Sequence, residues 1–303
     1  MLRATLLRAS ASPVLRRVAQ QASAHRIAER FVAGDTLEDA LEATRALARA
    51  GASVTIEQLG EDVTDVHEAR AAAAVVRALL DRVAGEGLPA GVTVKPKQLG
   101  LRLDPALCRG LLGGIAAAAE PIGAHVTLDM EGSDVTEWTV QLAEQLHADG
   151  LQAVGCALQA YLRRTPQDLE RLTAAGASVR LSRGAYSEPP EIAHQGRAAV
   201  DERFADCADW LLEHGVYPRL ATHDHRLIAR ALNTAARLGL EPGEFELEMS
   251  YGVRTSLQRS LVRDGWQLRV HVPFGGQWQP YLMRRLAERP ANVALFLRSL
   301  RDS

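Results

Sequence analysis

The sequence predicts an α/β fold of the (β/α)8 barrel type. Three observations carry the prediction: eight short β-rich runs at regular spacing, a helical stretch between each consecutive pair, and no linker interrupting the series. The runs are 53–57 (SVTIE), 91–95 (GVTVK), 125–129 (HVTLD), 152–158 (QAVGCAL), 177–181 (ASVRL), 218–222 (PRLAT), 245–249 (FELEM) and 268–272 (LRVHV). Between them the helical stretches 65–84, 105–119, 134–148, 165–175, 192–214, 225–238 and 255–264 are each long enough for a crossover between parallel strands. The rival, an open doubly wound sheet, requires a GxGxxG turn after an early strand, and the chain has none in that context.

Taken in order, residues 1–50 read as an N-terminal helical segment packed on the barrel, and 51–303 as one catalytic domain. Residues 1–30 carry arginines and serines with no acid before Glu29, a composition shared by targeting peptides and by the amphipathic helices of an Arg- and Ala-rich bacterial chain. Asp35 is a good N-cap with Glu38 at its third position, and the helix that follows ends at Gly51. At the other end, Leu268, Val270 and Val272 alternate with Arg269 and His271 as in a strand, which Pro273 and Gly275-Gly276 are expected to stop. A helix then begins near Pro280, with Arg284 and Arg285 within one turn of Tyr281 and Glu288 four residues after Arg284. Two adjacent guanidiniums at a strand-to-helix junction suit a carboxylate or phosphate. The alternative is a solvated basic face with an ordinary Arg–Glu pair.

Composition narrows the function classes. With 303 residues, 47% hydrophobic, and a net charge of −2, the chain can bury a sizeable core and has no electrostatic bias toward nucleic acid. No apolar run reaches the roughly 18 residues that a spanning helix needs. Cys108, Cys156 and Cys207 are too few and too scattered for a disulfide framework or a zinc ribbon. Lys95 and Lys97 are the only lysines, which makes Lys95 noticeable where it ends a strand.

In a barrel, function concentrates at the carboxyl ends of the strands, and those ends are polar here. In order they carry Glu61, Lys95, Asp129, Gln159 with Tyr161, Arg180 leading into 182–186 (SRGAY), Thr222 with His223, Asp224 and His225, Glu248, and His271. Alternation turns Asp129 and Arg180 toward the barrel axis. Singly each is readable as a cap or a solvated loop charge. Jointly they indicate one mixed-charge site, because buried charges must find partners or ligands. Two other chemistries draw on the same residues: a zinc hydrolase built on His223, Asp224, His225, His125 and Asp129, and a Schiff-base lyase built on Lys95.

The blocks 180–186 (RLSRGAY), 221–223 (ATH), 245–254 (FELEMSYGVR) and 269–292 (RVHVPFGGQWQPYLMRRLAERPAN), with 94–101 (VKPKQLGL) and 128–131 (LDME), resemble in order and spacing the signatures of the FAD-dependent proline dehydrogenase family, in its short, monofunctional bacterial form. The resemblance implies a distorted (β/α)8 TIM barrel preceded by helices. It also implies oxidation of L-proline to pyrroline-5-carboxylate by hydride transfer to FAD, with a quinone as acceptor and a pyrroline-5-carboxylate dehydrogenase as partner. The expected location is the bacterial cytoplasm, with at most peripheral contact with the inner membrane.

Residue by residue, the resemblance assigns Asp129 and Arg180 to the catalytic centre. Arg284, Arg285 and Lys95 would clamp the substrate carboxylate, with Glu61 pairing to the arginines when the site closes, and Leu181, Tyr186, Tyr281 and His271 would line the ring pocket. Met130, Gln159, Arg180, Arg183, Gly184, Ala185, Thr222, His223, Glu248 and Glu288 match cofactor-contacting positions, and no metal is implied. Departures from the family pattern fall at Ser182 and Arg183, where Val-Lys is usual, at His271, where tyrosine is usual, and at Glu248 and Ser250, where glutamine and leucine are usual. An extra carboxylate at Glu248 would disfavour an anionic reduced flavin and lower its potential, unless Arg183 pairs with it.

Overall fold

A computed structural model describes residues 28–60, 63–279 and 281. Eight parallel strands close in sequential order into a barrel: β1 (Ser53–Gln58), β2 (Ala90–Val94), β3 (Val126–Leu128), β4 (Val154–Gln159), β5 (Ser178–Ser182), β6 (Val216–Ala221), β7 (Glu246–Ser250) and β8 (Leu268–Phe274), with β8 pairing back onto β1. The crossovers are α2 (Val66–Glu86), α3 (Pro105–Ala119), α4 (Ser133–Ala148), α5 (Thr165–Ala174), α6 (Arg197–His214), α7 (His225–Leu238) and α8 (Thr255–Arg263), and α1 (Leu37–Arg49) precedes β1 and packs on β1 and β8.

Strand alternation divides the residues into two layers. Val54, Ile56, Val92, Val126, Leu128, Leu158, Val179, Leu181, Leu220, Leu247, Val270 and Val272 face the helices and form one apolar core with them. The opposite face of the same strands points into the lumen and is polar: Thr55, Glu57, Thr93, Thr127, Gln159, Ser178, Arg180, Arg219, Glu246, Glu248, Arg269 and His271. Barrels of this type ordinarily fill the lumen with branched apolar side chains. The charge here must therefore be satisfied internally, and it positions the site.

Two local expectations are corrected. The cap of α1 is Thr36, not Asp35: its hydroxyl accepts from Asp39 N–H while the Asp39 side chain accepts from Thr36 N–H, a reciprocal box one residue later than predicted. Pro273 does not stop β8, which runs on to Phe274. The backbone of His271 faces β7, where its carbonyl accepts from Tyr251 N–H, and Pro273, two residues on, faces the same way beyond the end of β7. A missing N–H there breaks no ladder bond, and the Pro273 carbonyl instead accepts from Ala33 N–H at 2.9 Å. Residues 1–27, Glu61, Asp62, Pro280 and 282–303 lie outside the described residues, including the proposed helix of Arg284, Arg285 and Glu288.

Candidate active site

The carboxyl end of the lumen holds a connected set of charges. Arg180 on β5 donates from Nη2 to Asp129 Oδ1 at 2.5 Å and from Nη1 to Thr93 Oγ1 at 3.1 Å and Glu248 Oε1 at 3.3 Å. Its side chain is buried, whereas Asp129 is partly open to solvent at the rim. Burial disfavours the Arg180 cation, but Glu248, Asp129 and Glu57 outweigh it and raise the pKa above the ordinary guanidinium value. Beside this pair, Lys95 just after β2 bonds Glu57 of β1, and His271 Nε2 lies 2.6 Å from the other Glu57 oxygen. A carboxylate only accepts, so Nε2 carries a proton, while Nδ1 lies 3.4 Å from Arg180 Nη1 and 3.7 Å from Glu248 Oε1. Burial pushes the Glu57 carboxyl up, and Lys95 and His271 together hold it well below the usual carboxylate range.

Deeper in the lumen, Arg269 grips Glu246 with two bonds of 2.6 and 2.9 Å, and Tyr217 Oη donates to the same carboxylate at 2.8 Å. Arg219 is fully buried and donates from Nη1 to Thr127 Oγ1 at 2.7 Å. Among the described residues, the lumen balances the carboxylates Glu57, Asp129, Glu246 and Glu248 against the cations Lys95, Arg180, Arg219 and Arg269, four of each, before His271 is counted.

Around the rim a second set ties neighbouring loops together. Gln159 donates to the Glu131 carbonyl at 2.9 Å and accepts from Ala185 N–H at 3.0 Å, so one amide fixes the loop after β5 against the loop after β3. Gly184 in that loop has φ +116°, and a Cβ there would come within 2.2 Å of the Tyr161 ring, so only glycine fits. His223 Nε2 accepts from Ser250 N–H at 2.8 Å, and Arg254 donates to the His223 carbonyl at 2.6 Å. Glu131 is a buried carboxyl whose pKa burial pushes up to about 7, against the pull of Lys97. Outside these, Arg183 and Arg197 share Asp201, and Arg197 and Arg226 share Asp224, three guanidiniums on two carboxylates at the ends of β5 and β6.

The structure thus gathers Lys95, Asp129, Arg180, Glu248 and His271 into one lumen mouth, with Met130, Gln159, Gly184, Ala185, Thr222 and His223 on its rim strands and loops. Tyr186 is half-buried and Tyr281 buried. Leu181 does not belong: it faces the helices and is buried in the apolar core, because its neighbour Arg180 takes the lumen side, and the Met130 side chain beside Asp129 is likewise buried in that core. Arg183 does not neutralise Glu248; it pairs with Asp201 at 2.8 Å, and Arg180 takes that role. The zinc constellation also fails. His125 stacks on Tyr217 at the amino end of β3, opposite Asp129, and His223 is engaged by Ser250. Among the described residues no group of three His, Cys, Asp or Glu side chains is arranged to hold a metal ion. Glu57, Arg219, Glu131 and the Glu246–Arg269 pair were missed. The alternation that places Asp129 and Arg180 also places Glu57, two residues after Thr55, on the lumen face.

A family model described as proline dehydrogenase matches residues 40–297. Proline dehydrogenase 1 of Bacillus subtilis (strain 168) is 33% identical over 300 residues, 99% of each chain. The chain belongs to the proline dehydrogenase family. The proline dehydrogenase of Deinococcus radiodurans is 32% identical over 278 residues, 90% of each chain. The crystal structure of proline utilization A (PutA) from Bdellovibrio bacteriovorus, inactivated by N-propargylglycine, superposes with a TM-score of 0.80 at 24% identity. It covers 86% of this chain but only 32% of that longer one, and it shows the shared barrel. Against this family background, the lumen charges described above belong to a proline dehydrogenase family barrel whose mouth carries His271 and Glu248 at two of the departures noted in the sequence.

Proposed function

We propose that the protein oxidises L-proline to pyrroline-5-carboxylate, with FAD as the bound cofactor and a quinone as the final electron acceptor. The observation that carries the reading is the Asp129–Arg180 pair at the mouth of the polar lumen, flanked by Lys95, in a chain of this family. The donor set suits a flavin dinucleotide: the buried Arg180 cation for the ring system, and the Arg183, Arg197 and Arg226 guanidiniums at the ends of β5 and β6 for a diphosphate. Gln159, Arg183, Gly184, Ala185, Thr222, His223 and Glu248, with Glu288, are the residues that would hold it. When bound, FAD supplies the hydride acceptor that the oxidation requires.

The chain's own residues bind and orient the substrate. Arg284, Arg285 and Lys95 hold its carboxylate, the guanidinium forks fixing orientation as well as charge. Glu61 pairs with the arginines over the bound substrate, and Tyr186, Tyr281 and His271 bound the space for its ring. Asp129 fixes the Arg180 guanidinium at the rim, where its cation favours negative charge developing on the acceptor side. A pyrroline-5-carboxylate dehydrogenase is the partner that would consume the product. The protein would act in the bacterial cytoplasm, with at most peripheral contact with the membrane that holds the quinone; no helix among the described residues is long and apolar enough to cross one.

A second reading, oxidation of another cyclic or N-substituted amino acid, rests on His271, whose imidazole is fixed by Glu57 and offers a ring nitrogen at the mouth. Turnover with an artificial electron acceptor, comparing L-proline with such analogues, tests both. Fastest turnover with proline supports the first reading, faster turnover with an analogue supports the second, and no turnover with any of them sinks both.

A further inference from the structure

Arg180 and Arg219 are paired in register on adjacent strands β5 and β6, so two guanidiniums enter the lumen side by side. Like charges so placed repel unless a carboxylate lies between them. Glu248 on β7 is the nearest shared carboxylate by register: it pairs with Ala221, two residues beyond Arg219 on the same face of β6, and its Oε1 reaches Arg180. Of the charges around each guanidinium it also acts most favourably on both. Glu248 Oε1 accepts from Arg180, while its buried Oε2 has no hydrogen-bond partner. Arg219 has the complementary shortfall: Nη1 reaches Thr127, while buried Nε and Nη2 have no partner. Room for this guanidinium is built into β4, because a Cβ on Gly155 would lie 2.6 Å from Arg219 Nη2.

The strength of the Arg180 contacts shows what is at stake. The bond to Asp129 at the rim is 2.5 Å, and Glu248 Oε1 lies 3.3 Å from the same guanidinium. An uncompensated Glu248 would compete with Asp129 for Arg180 and draw the guanidinium away from it. We infer that Arg219 is a positioning residue that neutralises Glu248 from beneath and so leaves Arg180 presented to Asp129 at the mouth. The functional part of this inference rests on the proline dehydrogenase reading; the electrostatic coupling of Arg219 to Glu248 does not.

The test uses the full chain as Arg219→Met, Glu248→Gln and the double variant. In the flavin-free protein each single change lowers the thermal midpoint, by leaving one buried charge without its counterpart, and the double variant melts above either. With FAD bound, Arg219→Met shifts the flavin reduction potential downward, since Glu248 now offsets Arg180, and adding Glu248→Gln returns it toward wild type. Additive losses in midpoint, or an Arg219→Met potential equal to wild type, would overturn the inference. If Arg219→Met alone does not fold, the comparison of Glu248→Gln with the double variant still decides: adding Arg219→Met raises the midpoint if the residues are coupled and lowers it if they are not. A chain that takes up no FAD would defeat the functional reading, while the midpoints would still judge the coupling.

Discussion

Replacing Glu57 by glutamine isolates the electrostatics of the lumen. The side chain is nearly inaccessible to water and meets both Lys95 and His271. Glutamine keeps the shape and one acceptor oxygen but removes the charge that holds Lys95 in a buried position. Breaking one member of such a pair costs about 3–5 kcal/mol, and the retained acceptor places the expected loss near the lower end, at about 3 kcal/mol. For a domain of this size that is a fall in Tm of roughly 6–12 °C. The pH dependence adds a second signature. The Glu57 carboxyl is held below its ordinary value in the folded state, so its contribution is present above the unfolded pKa near 4.5 and is lost as pH falls through the folded value. Differential scanning calorimetry from neutral pH into the acid range should show the gap between wild type and Glu57→Gln closing as pH falls. A variant that melts within a degree of wild type at pH 7 would refute the claim that Glu57 anchors this corner of the barrel.

Other consequences follow from the same geometry. Glu131 is raised to about 7 by burial, so the folded state binds its proton more tightly than the unfolded chain and stability falls as pH rises from about 4.5 through 7. Glu131→Gln should remove that slope and be more stable at pH 8 by up to about 3 kcal/mol, read from urea denaturation at pH 5 and pH 8. Gly184→Ala places a methyl in the Tyr161 ring at a positive φ, so it should displace the loop after β5, with a fall in the fraction of purified protein carrying flavin. Arg284→Ala or Arg285→Ala should raise KM for proline by removing a charge-assisted carboxylate contact worth roughly 2–3 kcal/mol, or about 30–150-fold; unchanged kinetics in both variants would contradict the clamp.

The barrel was legible because the apolar outer face of each strand and the helices between them repeat with clear periods, and every predicted strand is found within a few residues of its expected bounds. The strand ends pointed correctly to Asp129, Arg180, Lys95, Glu248 and His271 as neighbours. What sequence pattern could not rank was competition among partners. Arg183 and Arg180 are both near Glu248 in the chain's logic, and only the position of Asp201 on α6 shows that Arg183 is already engaged. The family resemblance put Leu181 in the ring pocket, whereas strand alternation puts it with the helices, and the same alternation carried down the lumen would have found Arg219 and Glu246. Pro273 misled for a different reason: a strand beyond the end of its neighbour has no ladder bond for proline to break.

The most direct measurement is an absorbance spectrum of the purified protein before and after anaerobic addition of L-proline. The account predicts an oxidised flavin band at about 450 nm that bleaches on addition of proline. A bound flavin that stays oxidised with proline and bleaches with another cyclic or N-substituted amino acid would contradict proline as the substrate, and a protein that binds no flavin even after reconstitution with FAD would contradict the oxidoreductase account itself.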